Sequence, residues 1–190
     1  MLTTLLLRVA LAVPSTPALS PAVVHAAVAE AAGVWAPYGV AIDAAAPCGW
    51  ATNDSTVLTV VPIVVPPGSR GAAGTSGWRG ALGAIIFAPG GMPTPAITVY
   101  LTDIQQFMAG AHVFGAPERQ WPLSLREQLL GRVLGRVLAH EIGHYVLRSP
   151  QHADVGLMRS LQFPDDLVSP SRRRFTLTSA QAARLAALRP

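Results

Sequence analysis

The chain has 190 residues, of which 51% are apolar and 13% charged, a balance that suits one globular domain with a real core and excludes a chain disordered as a whole. Its net charge of +4 is modest and its basic residues are all arginine. The one basic run, Arg172-Arg173-Arg174, lacks interleaved aromatics, so it reads as a solvated turn rather than a nucleic-acid surface. Cys48 is the single cysteine, which leaves no internal disulfide framework.

In chain order, the apolar stretch from Met1 to Val13 is interrupted by Arg8 and has no positive segment before it. It makes a poor signal peptide, is too short to span a bilayer, and reads better as a first strand, Leu5 to Leu11, ending near Pro14. Ser20 caps a helix that Pro21 opens and that runs through Trp35. Val40 to Ile42 and Val57 to Val65 predict the second and third strands. The Gly-, Ser- and Pro-rich stretch from Pro66 to Gly80 reads as a loop and contains no G-x-x-x-x-G-K-[ST] phosphate signature. Leu82 to Phe87 and Ala96 to Leu101 predict strands four and five, joined through Pro89-Gly90-Gly91-Met92-Pro93. No segment reads as a membrane span.

After Pro122, Ser124 and Glu127 have the spacing of a helix capping box. Leu130, Leu134, Val137, Leu138, Glu141 and Tyr145 then recur at helical spacing, and no proline intervenes before Pro150. Because Pro150 disfavours helix at Ser149, the helix is expected to end there. Thr178 and Gln181 form a second capping box that opens a final helix, Ser179 to Leu188. There are no repeats, so residues 1–190 form one domain, with a sheet-bearing part over 1–123 and a helical part over 124–190.

The long helix carries His140-Glu141-Ile142-Gly143-His144. At about 3.6 residues per turn, His140 and His144 project from one face and both imidazoles can reach one metal ion. Val133 and Val137 continue the same stripe. Glu141 lies about 100° round the helix, placed to touch a metal-bound water without being a ligand. Two nitrogen ligands and an adjacent carboxylate describe a zinc hydrolase site. A third protein ligand is needed, and His152 lies eight residues beyond His144, past Arg148-Ser149-Pro150. Asp154 competes as an oxygen ligand. On an extended segment both would point the same way, and imidazole is preferred because carboxylates near zinc are often one shell further out. His25 and His112 have no ligand spacing to a partner and read as core or surface residues; Tyr145 reads as packing, and Tyr100 as the end of a strand.

His140-Glu-Ile-Gly-His144, the later His152 and Gly156-Leu157-Met158 together resemble the metzincin clan of zinc peptidases, most closely its matrixin-type members. The clan pattern H-E-x-x-H-x-x-G-x-x-H would put Gly at Leu147 and His at Pro150, so here the third His falls two residues late. Arg159 and Ser160 follow Met158, where many relatives have a Tyr near the metal. The resemblance implies an α+β catalytic domain: a twisted mixed sheet of four to five strands, an N-terminal backing helix, an active-site helix and a C-terminal helix. It also implies that Met158 lies in a tight turn beneath the metal, and that an extended substrate adds as a strand along a sheet edge, with Leu82 to Phe87 the candidate. It favours a secreted or periplasmic protein.

The expected chemistry is zinc-dependent hydrolysis of a peptide bond in a peptide or protein substrate, with His140, His144 and His152 as ligands and Glu141 as general base. Two other readings fit the same residues: a peptidase-like binding module that keeps zinc for structure, and a zinc-dependent hydrolase of a non-peptide amide. The protein is expected to act as a monomer without nucleic-acid partners.

Overall fold

The computed structural model describes residues 7–45, 55–63, 81–160 and 162–188. Leu5, Leu6, Val64, Val65, Cys48 and the 66–80 stretch lie outside them.

The fold is mixed α and β. Strands β1 (Leu7–Ala12), β2 (Val40–Ala44), β3 (Ser55–Ile63), β4 (Gly83–Phe87) and β5 (Pro93–Tyr100) form a sheet in the order β2-β1-β3-β5-β4. All neighbours are parallel except β4, which pairs antiparallel with β5 through a tight turn, Ala88 N–H donating to Met92 O at 2.8 Å. Parallel neighbours need a crossover. Helix α1 (Pro21–Trp35) supplies it between β1 and β2, and starts where the sequence requires: Ser20 accepts from Val23 N–H, with Pro21 at the first position. Burial alternates along the strands with period two, Val9 and Leu11, Val40 and Ile42, Leu58 and Val60, Ile97 and Val99 forming the covered face. Helix α3 (Leu123–Val146) packs on α1 and contacts β4 and β5. Gly131 and Gly135 let the two helices approach closely, since a Cβ at either would come within 2.6 Å of α1 atoms. Trp35, wholly buried, ties them by donating Nε1–H to Ala139 O at 3.0 Å.

A buried ion cluster binds the end of the chain to this helix pair. Arg136 on α3 donates Nε–H to Glu30 on α1 at 2.9 Å, and Arg172 donates to the other Glu30 oxygen at 2.8 Å. Burial opposes ionisation of Glu30, but the hydrogen bonds from Arg172 and Arg136 outweigh it and hold its pKa below the usual value. Arg136 is 1% exposed, also bonds the Leu167 and Ser171 carbonyls, and lies 4.3 Å over the Phe175 ring. The arginine run forms the expected solvated turn, all three side chains being exposed, and two of them also pair: Arg172 holds Glu30, and Arg174 binds both oxygens of Asp166 at 2.9 Å.

Some expectations are corrected. The Ser124–Glu127 capping box is not made: α3 begins at Leu123, with Pro122 at the cap and no side-chain bond. Buried Trp121, whose Nε1–H donates to Ala116 O at 2.9 Å, fixes the approach of the chain and puts Ser124 inside the first turn. The fifth strand starts at Pro93 and yields at Leu101 to a helix that was not expected, α2 (Leu101–Met108). A two-stranded hairpin, β6 (His112–Val113) with β7 (Ala116–Pro117), and a short helix α4 (Pro164–Val168) were not expected either. The closing helix α5 (Ser179–Ala187) has the predicted Thr178–Gln181 capping box with both bonds formed. Among the described residues, no helix is long and apolar enough to cross a membrane.

Candidate metal centre

The last two turns of α3 present His140 and His144 on one face, as i, i+4 spacing dictates. The helix then ends at Val146, three residues before Ser149. The cap is a Schellman arrangement: Ser149 N–H donates to His144 O and Arg148 N–H to Tyr145 O, both at 3.1 Å, with Arg148 at φ +48°. Leu147, where the clan pattern has Gly, stays right-handed at φ −83°; the left-handed residue is Arg148, one position later. Arg184 of α5 satisfies the freed carbonyls, donating to Leu147 O at 2.8 Å and Arg148 O at 3.2 Å. Turning left at Arg148 sends the chain back under the helix end, and His152 arrives beside the other two imidazoles.

The three rings converge through Nε2. His144 Nε2 lies 3.1 Å from His140 Nε2 and 3.3 Å from His152 Nε2. Ligand nitrogens held tetrahedrally at 2.0–2.1 Å from zinc are separated by about 3.3–3.4 Å; the two spacings from His144 are close to that, and the three ring nitrogens all lie within 4.8 Å of one another. The tautomers point the same way. His140 Nδ1 is 2.8 Å from Leu157 O, and His144 Nδ1 is 2.7 Å from Ser149 O. A carbonyl only accepts, so each Nδ1 carries the proton and each Nε2 is left with a bare lone pair. Two lone pairs 3.1 Å apart repel unless a cation or a proton lies between them. A proton is disfavoured: burial and the neighbouring His144 and His152 charges push His140 down to about 3, and burial lowers His144 too. The three imidazoles, each with its pKa lowered, form a group that could hold a metal ion.

Glu141 is buried at 5% exposure and packs against Gly83, the first residue of β4, where an added Cβ would come within 3.0 Å of Glu141 Oε1. Burial pushes its pKa up to about 8. Asp154 is exposed and does not belong to the three-histidine group. His25 and His112 are exposed and lie apart from it, and Tyr145 packs against the core.

Met158 is wholly buried beneath the motif helix, where a Cβ on Gly143 would overlap its Sδ. The turn that carries it is fixed at Gly156, whose φ of +80° and contact with Thr176 O leave no place for a side chain. Leu157 is clamped at both ends of its peptide groups, its N–H donating to Thr176 O at 2.8 Å and its carbonyl accepting from His140. Ala153 N–H donates to Met158 O at 2.8 Å and closes the loop that delivers His152. Residue types could not foretell the roles of the Leu157 and Ser149 carbonyls, which are backbone groups. Gly143 did carry a signal, because glycine inside a long helix commonly marks a close packing contact.

Neither the protein-family models nor the curated proteins contain a match to this chain.

Proposed function

We propose that the protein is a metzincin-like, zinc-dependent metalloendopeptidase. The observation that carries this reading is the convergence of the His140, His144 and His152 Nε2 atoms, with Glu141 buried at the next position of the motif helix. Zinc held there would polarise the substrate carbonyl, stabilise the developing oxyanion and lower the pKa of water toward about 7. His140, His144 and His152 hold the ion, and the Leu157 and Ser149 carbonyls keep the first two rings in the ligating tautomer. Glu141 takes a proton from the attacking water and delivers it to the leaving amine. A cation beside His140 opposes the burial that raises Glu141, which brings the carboxyl toward the range where it can do both. A peptide substrate would add to the outer edge of β4. Support comes from the sheet order, since β4 is an edge strand paired with β5 alone among the described residues, and from its contact with Glu141 through Gly83.

The test is a quenched fluorescent peptide library, presented to the zinc-loaded protein and to Glu141→Ala. Cleavage by the first, loss with chelator, and a fall of about 10²–10⁴ in the variant at unchanged zinc content are expected. Zinc without cleavage of any peptide would leave the site structural or directed at another amide.

A further inference from the structure

A concavity of about 350 Å³ is lined by Gly156, Arg159, Arg173, Arg174, Thr176 and Thr178 among others, and by none of the three histidines. Its charge is unbalanced. Asp166 is the acidic group that pairs with these cations, accepting from Arg159 at 3.3 Å and from Arg174 at 2.9 Å. Three guanidiniums thus meet one carboxylate, and Arg173 has no acidic partner among the described residues. Arg159 also has a buried Nε–H without an acceptor, although its guanidinium is held at 5.0 Å over the Phe163 ring. Thr178 caps the N-terminus of the nine-residue α5, which brings the positive end of that helix dipole to the same wall.

We propose that this cleft binds a small phosphate-type oxyanion, either free phosphate or the phosphate of a small monoester. A tetrahedral dianion offers more acceptor oxygens than a carboxylate, which suits guanidinium, hydroxyl and helix-end donors converging from several directions. The volume lies at the lower end for small-molecule sites and has room for a phosphate with a short organic group. Gly156 and Thr176 flank the Leu157 hydrogen bonds, so the cleft shares backbone with the turn that orients His140. The site goes beyond the peptidase reading and does not depend on it.

The experiment follows the Tm of the zinc-loaded protein, its metal content measured on the same sample, as inorganic phosphate or phosphoserine replaces chloride at constant ionic strength. With a dissociation constant of about 1 mM, 10 mM phosphate raises Tm by roughly 3–6 °C. Arg173→Glu is the deciding variant. Arg173 is exposed and bonds Ser171 only through its backbone, so the fold tolerates the change, while the expected affinity falls at least about tenfold. Phosphoserine binding about tenfold tighter than phosphate assigns the site to an ester; equal affinity assigns it to the free ion. No shift in the parent protein, or a shift undiminished in Arg173→Glu as phosphate on the metal would give, overturns the proposal.

Discussion

Replacing Gly143 by Ala adds one methyl group where a Cβ overlaps the Met158 Sδ, with Trp35 Cζ2 3.5 Å away. The thioether has little room to retreat. Met158 is fully buried, and the turn before it is held through the Leu157 N–H and carbonyl. Overfilling a packed site costs about 1–3 kcal/mol. Exchanging Gly for Ala in a helix interior returns about 1 kcal/mol. The net expectation is a loss of about 0–2 kcal/mol from the balance of these two effects. In a Met158→Ala background the methyl group meets vacated space, the propensity gain stands alone, and the same substitution stabilises by about 1 kcal/mol. The sign therefore changes, and the coupling between the two positions is about 1–3 kcal/mol. Urea unfolding of the parent, both single variants and the double variant measures it. A Gly143→Ala effect equal in the two backgrounds to within about 0.5 kcal/mol would refute the placement of Met158 beneath the motif helix.

Arg148→Gly removes a side chain from an exposed left-handed position and should stabilise the protein by on the order of 1 kcal/mol in thermal or urea unfolding; a loss of stability would show that the cap is not left-handed. His152→Ala should weaken zinc binding sharply and Asp154→Ala much less, as read by competition with a zinc chelator; the reverse ranking would assign the carboxylate as ligand. In chelator-treated protein, Glu141 has a pKa raised to about 8 by burial, so its contribution to stability is fully present below about 4.5 and is lost as pH rises through about 8. Glu141→Gln, which does not titrate, should gain on the parent protein by a few kcal/mol between about pH 5 and pH 8; a difference independent of pH would contradict the burial of an uncompensated carboxyl.

The motif helix, its histidine face and the capped helices α1 and α5 were legible because their signals are local. Periodicity, Ser20-Pro21 and the Thr178–Gln181 pair each act within one or two turns. Helix α2 was hidden because the apolar run Ala96 to Leu101 continues a strand into a helix without a break. Its pattern of Leu101, Ile104 and Met108 with Asp103 in the first turn was nonetheless present. The Ser124–Glu127 pair misled for the opposite reason: the local signal is real, but Trp121 and its bond to Ala116 settle where the helix begins. The Arg136–Glu30–Arg172 cluster joins residues more than 100 positions apart, and no local pattern announces it. At the candidate site, spacing along the chain pointed to the three histidines that the structure brings together. The two carbonyls that set their tautomers, and the left-handed Arg148 that absorbs the late third histidine, emerge only when the chain is folded.

Zinc X-ray absorption on the protein after zinc addition and removal of excess metal tests the central claim most directly, since it reports both stoichiometry and ligands. One zinc per chain, with three imidazole nitrogens at about 2.0–2.1 Å and one further light atom, is the expected result, and His144→Ala should lose it. Substoichiometric metal after zinc addition, or a first shell with two imidazoles or fewer, would contradict the three-histidine centre.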